Sequence, residues 1–203
     1  AGGIYISSDS GVTWAATTAP NSGWKAVAMS SDGQKMVAST GSTIYTSTDG
    51  GANWISRRSL PATTLASSSD GRNLIAGMGG NVATEGVFTS SDSGLTWTRR
   101  LSSTDADLSK GSWSVVAVSP DGITMLASGL GQWHVSRDSG RTWMSAAHEY
   151  LGNVKGIAMS RDASTISTAV SGGSTYGIYS SAASGARTTT GTSGAISGGQ
   201  YDS

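Results

Sequence analysis

An eight-residue motif, Ser-x-Asp-x-Gly-x-Thr-Trp, occurs four times in this chain and constrains it more than any other feature. The copies lie at 7–14, 47–54, 90–97 and 136–143, and only Asn53 departs, standing where the others have Thr13, Thr96 and Thr142. A fifth, worn copy keeps Ser181 and Gly185 but has Ala183 for Asp, Arg187 for Thr and Thr188 for Trp. The spacing from Asp9 to Asp49 is 40 residues, then 43 to Asp92, 46 to Asp138 and 45 to Ala183. A recurrence in the low forties marks one small supersecondary unit used repeatedly.

A second pattern interleaves with the first. It runs Val27-Ala28-Met29-Ser30-Ser31-Asp32-Gly33, and returns at 65–71, 116–122 and 157–163 with Asp70, Asp121 and Asp162. Four residues before each Asp stands Ala, and four after stands Met36, Leu74, Met125 or Ile166. Each copy is an apolar strand, a tight Asp-Gly turn (Asp-Ala in the last) and a second strand, hence a hairpin. The Trp motif turns a further hairpin, with strands expected at 43–46 and 53–57 and at the equivalent places. Two hairpins make a four-stranded antiparallel unit, A to D from the inside outward, and no segment keeps a helical period. The fold class expected is all-β, a β-propeller of four-stranded blades. Its divisions are a half blade at 3–18, blades at about 23–59, 62–101, 113–147 and 153–192, and a closing tail at 193–203. Either this is a five-bladed ring with a thin clasp or it is part of a larger propeller.

The motif's chemistry reads as local. The Asp carboxylate is expected to take backbone N–H groups two residues on, Gly supplies positive φ, and Trp buries its ring between blades. On these residues the chain resembles the Asp-box, or BNR, repeat propellers, a group that includes sialidase-like, sortilin-like and photosystem II assembly-factor-like proteins. The resemblance implies that Asp9, Trp14, Asp49, Trp54, Asp92, Trp97, Asp138 and Trp143 are structural. It also raises a sialidase-like glycoside hydrolase. Such enzymes need an arginine triad, a tyrosine–glutamate pair and an acidic general acid, and their Phe/Tyr-Arg-Ile-Pro motif is absent here.

Only 13% of the 203 residues are charged and the formal net charge is zero, so no basic excess points to nucleic acid or anionic membrane. No apolar run approaches the ~20 residues that span a bilayer. Without cysteine there is neither a disulfide framework nor a thiolate metal site. Low charge with much Ser, Thr and Gly suits an extracellular, secreted or lumenal protein, and Ala1-Gly2-Gly3 fits a processed N-terminus. Threonines near 188–192 would permit O-glycosylation.

Binding is expected on the long connections away from the motif turns, where a rigid scaffold presents its loops. The candidates are the twin pairs Arg57, Arg58 and Arg99, Arg100, as an anion clamp or as solvated strand ends, and Trp24 and Trp113, as sugar platforms or as packing. The loop residues His148, Glu149 and Tyr150 join them. The two glutamates are Glu85 and Glu149, and an acid pair could only be Asp105 or Asp107 with Glu149. No spacing suggests a metal site or a cofactor. The chain is therefore read as a non-catalytic recognition scaffold for a protein partner or a glycan. A sialidase-like hydrolase and a lumenal photosystem assembly factor remain as alternatives.

Overall fold

The computed structural model of the protein describes residues 1–79, 86–102, 113–129, 132–146, 153–171, 177–181 and 187–189. Within them a two-stranded sheet, β1 (Tyr5–Ile6) with β2 (Ala15–Ala16), precedes four antiparallel sheets of four strands each. Blade two is β3 (Ala26–Met29), β4 (Met36–Ser39), β5 (Thr43–Ser47) and β6 (Ile55–Ser59). Blade three is β7 (Ala62–Ser67), β8 (Leu74–Met78), β9 (Gly86–Ser90) and β10 (Thr98–Ser102). Blade four is β11 (Trp113–Val118), β12 (Met125–Gly129), β13 (Gln132–Ser136) and β14 (Met144–Ala146). Blade five is β15 (Asn153–Met159), β16 (Ile166–Ser171), β17 (Gly177–Ser181) and β18 (Arg187–Thr189). In each sheet the strands lie in sequence order, so every neighbour is a hairpin partner. No helix among the described residues is long and apolar enough to cross a membrane. The tail at 193–203 lies outside the described residues.

The cores sit between blades, not inside them. One cluster joins Val37 and Ile44 of blade two to Ala76, Phe88 and Trp97 of blade three. The next joins Ile75 and Val87 of blade three to Trp113, Val116 and Met125 of blade four. A third joins Trp133 to Val154 and Val170 of blade five. A sheet between two neighbours is covered on both faces, which is why β8 and β9 are buried at every position. Each such large side chain stabilises the fold by roughly 1.5–3 kcal/mol on leaving water.

The turns differ in detail from the sequence reading. In the Trp motif the carboxylate reaches four residues on, not two. Asp92 Oδ1 accepts the Thr96 N–H at 2.8 Å and the Ser90 hydroxyl at 2.7 Å, while the Thr96 hydroxyl donates to Oδ2. The Ser90 oxygen accepts the Gly94 N–H at 2.9 Å, and the Trp97 indole N–H donates to the Gly94 carbonyl at 3.2 Å. Around Asp9 the same bonds recur, and in blade two the Asn53 amide takes the threonine's place, donating to Asp49 Oδ2 at 2.7 Å. Holding the chain this long in the turn delays the fourth strand, so β6 starts at Ile55 and not at Asn53. The two-residue reach belongs to the other hairpin, where the Gln34, Arg72, Ile123 and Ser164 amides donate to Asp32, Asp70, Asp121 and Asp162.

These second turns also link the blades. The Ser31 amide donates to the Ser69 carbonyl at 2.9 Å, and the Ser69 amide donates to the Pro120 carbonyl at 2.9 Å. Met29 is exposed, whereas Met36 and Met125 are buried. Trp24 lies just before β3, and the recurrent strand-A alanines Ala28, Ala66 and Ala117 are half-buried.

Candidate functional site

The four arginines are positioned by β-bulges. Ser56 opposes Tyr45 and Arg58 opposes Ile44, so Arg57 is the extra residue between them. Arg99 opposes Phe88 and Leu101 opposes Val87, so Arg100 is the extra residue of its strand. A bulged residue has no cross-strand partner and its side chain is re-aimed. Arg57 Nε donates to Thr46 Oγ1 at 2.7 Å and Arg100 Nε donates to Thr89 Oγ1 at 2.9 Å. Each expected pair is thus divided, with one arginine anchored on a threonine of its own blade.

The other two meet across a blade seam. Arg58 Nη1 donates to the Trp97 carbonyl at 3.0 Å, and its guanidinium lies 5.7 Å from the centre of the Phe88 ring. Phe88 is the register partner of Arg99, whose Nε lies along Gly86, 3.1 Å from where a Cβ would stand. The seam between blades two and three therefore gathers Arg57, Arg58 and Arg99, while Arg100 turns to the next seam with Thr89. Arg58 and Arg99 are exposed and Arg57 is half-buried. The hydroxyl, carbonyl and ring that hold Arg57 and Arg58 are neutral and do not cancel their charge. A guanidinium already fixed in place loses little freedom when an anion binds it.

The described carboxylates behave otherwise. Asp9 and Asp138 are held down to about 2, first by the Thr13 and Thr142 hydroxyls and then by the amides of the same residues. Asp162 is also at about 2, first through the Ser160 hydroxyl. Asp32, Asp70 and Asp121 are lowered first by the Ser30, Ser68 and Ser119 hydroxyls, and Asp49 first by the Asn53 amide. At Asp92 burial pushes up, but the bonds from Thr96 and Ser90 outweigh it. A group lowered by folding stabilises the fold above its unfolded value near 3.8, and that contribution is lost as pH falls through the folded value. The melting temperature is expected to hold level down to about pH 5 and to fall between about pH 4 and pH 2. Calorimetry across that range checks this, and an unchanged melt at pH 2 would contradict it.

The aromatic candidates separate. Trp113 is 1% exposed with its ring edge-on to His134, so it is packing and not a sugar platform, and Trp133 is buried likewise. Trp24 is half-buried, edge-on to Tyr45 at 5.4 Å and tilted against Trp54 at 6.2 Å. The loop residues His148, Glu149 and Tyr150, with Glu85, Asp105 and Asp107, lie outside the described residues. Among the described residues no group of His, Cys, Asp or Glu could hold a metal ion. One signal in the sequence was missed. The position four before each motif Asp is a ring in every copy: Tyr5, Tyr45, Phe88 and His134, with Tyr179 before Ala183. Phe88, the seat of Arg58, belongs to that series.

No protein-family model and no curated protein matches the chain. Solved structures do. The chain is similar to the GH74 xyloglucanase from Xanthomonas campestris, with TM-score 0.70 and 17% identity over 93% of this chain and 34% of the enzyme. It is similar to the Niastella koreensis GH74 enzyme, with TM-score 0.68 and 19% identity over 93% of this chain and 34% of that one. A structure of YCF48 bound to D1 peptide gives TM-score 0.56 and 16% identity over 77% of this chain and 49% of the other. The chain spans about a third of the length of the GH74 enzymes. At these identities the likeness shows the propeller fold.

Proposed function

We propose that this chain is a non-catalytic recognition scaffold that binds an acidic segment of a protein partner along the seam of blades two and three. Arg58 carries the reading: it is exposed, yet fixed by the Trp97 carbonyl and the Phe88 ring beside Arg99. The described carboxylates support it from the other side. All are lowered and bound into turns, the opposite of what a general acid requires. An extracellular or lumenal location belongs to the same proposal, and YCF48 bound to D1 peptide is an example of this fold holding a peptide.

Anisotropy of a fluorescein-labelled Asp/Glu-rich peptide tests the reading. Affinity is expected to weaken about tenfold in Arg58→Gln/Arg99→Gln and to weaken with added salt. Unchanged affinity in that variant sinks the proposal. The GH74 likeness supplies a second reading, a glycoside hydrolase using residues outside the described ones. Xyloglucan hydrolysis that disappears in Glu149→Gln would replace the scaffold reading with that one.

A further inference from the structure

Two equivalent places on the outermost strands, compared from blade to blade, set the seam of blades two and three apart. The first is filled by Ile55, paired with Thr46, in blade two, by Thr98, paired with Thr89, in blade three, and by Met144, paired with Val135, in blade four. The second is filled by Arg58, paired with Ile44, by Leu101, paired with Val87, and by Ala146, paired with Trp133. Cross-strand partners share a face of the sheet, as do residues two apart on one strand. Both places therefore face the following blade. In blade two the direction is fixed by Ile44, which lies in the cluster with Phe88, and by Thr46, whose Cγ2 lies against Gly94.

Blade three fills the two places as packing asks. Thr98 is exposed and polar, and Leu101 is buried in the cluster with Trp113. Blade two inverts this. Ile55 is 52% exposed, and a guanidinium belongs to the residue that stands where the leucine packs. Blade four exposes Met144 but sets only Ala146 beside it, so no cation accompanies its apolar residue. A lone exposed isoleucine needs no explanation. Coupled to a charge at a core place, it departs from the pattern twice in one spot, and such departures concentrate at functional sites.

The groups left open have a definite chemistry. Arg58 spends Nη1 on the Trp97 carbonyl. Among the described residues nothing takes its Nε and Nη2, the edge that grips a carboxylate through two parallel bonds. Arg57 is held on Thr46, the partner of Ile55, which keeps a second guanidinium on the same face. Ile44 and Thr46 are two residues apart, so Arg58 and Ile55 arise about 7 Å apart along the blade. An extended segment has the same spacing between side chains two residues apart, and those side chains point the same way.

We propose that the seam recognises a paired motif in an extended segment of a protein partner: a carboxylate residue and a large apolar residue with one residue between them. The carboxylate takes the open edge of Arg58, and the apolar side chain covers Ile55. This rests on the acidic-segment reading above and adds a second determinant to it.

Three fluorescein-labelled peptides of equal charge, in the same Ser/Gly flanks, test it on the full chain. Their centres are Asp-Ser-Leu-Ser-Asp, Asp-Leu-Ser-Ser-Asp and Asp-Ser-Ser-Ser-Asp. The first is expected to bind about tenfold more tightly than the third, since its leucine leaves water on Ile55. The second, whose leucine points away when its acids engage, is expected to stay within about twofold of the third. Ile55→Ser should erase the gain of the first peptide and bind the third as the parent does. Ile55 is exposed, so that variant should fold normally, and its melt checks this. Equal affinity of the two leucine peptides, or a leucine gain that survives Ile55→Ser, overturns this inference and leaves the acidic-segment reading standing. Affinities that ignore Arg58→Gln/Arg99→Gln in all three peptides sink that reading and this one with it.

Discussion

Trp97→Ala is expected to cost about 3–5 kcal/mol and Trp14→Ala under about 1, although both residues close the same motif. The two indoles make the same local bond, to the Gly94 carbonyl at 3.2 Å and to the Gly11 carbonyl at 3.1 Å. What differs is the neighbour. Trp97 is 6% exposed and lies in the cluster with Val37 and Ile44 of blade two and Leu60 of the connection that follows it, whereas Trp14 is 64% exposed. Removing Trp97 leaves a cavity between blades, and removing Trp14 strips a ring that water already surrounds. For a chain of this size the first loss lowers the melting temperature by on the order of 10 °C. Denaturant melts of the two variants check it, and equal losses would show that the motif stabilises only its own turn.

Gly94→Ala comes next. Gly94 has φ +84 and Gly11 has φ +89, so a side chain at either bears the left-handed penalty of about 1–2 kcal/mol. A Cβ on Gly94 would also stand 2.8 Å from Thr46 Cγ2 of blade two, while on Gly11 nothing lies nearer than the Trp14 ring at 4.0 Å. Overpacking adds roughly 1–3 kcal/mol, so Gly94→Ala is expected to lose about 3–4 kcal/mol and Gly11→Ala about half that. Thr46→Ser removes the offending methyl but keeps the hydroxyl that receives Arg57. In a double-mutant cycle it should return part of the loss. A cycle that closes with no coupling would disprove the contact. Together the two tests separate what the motif does within its turn from what it does for the next blade.

The turns were largely legible. Ser, Asp, Gly, Thr and Trp at fixed spacing leave few ways to satisfy one carboxylate and one indole N–H, and four copies repeat the answer. The reach of the carboxylate was misread by two residues because the sequence does not distinguish an acceptor in a tight turn from one in a wide loop. The arginines were legible as neighbours but not in their roles. Nothing in Arg57-Arg58 or Arg99-Arg100 says where the bulge falls, since it depends on the pairing of a separate strand. Once the register is set, Arg57 and Arg100 are carried onto threonines, and Arg58 reaches the ring of Phe88 in the next blade.

The sequence by itself determined the repeat, its antiparallel hairpins and the residues that bind each turn, because those bonds join groups a few residues apart. Only the tertiary structure decided which copies of an identical motif are buried and which arginines share a seam. Those outcomes depend on whether another blade covers a given face, and a local pattern carries no record of its neighbour.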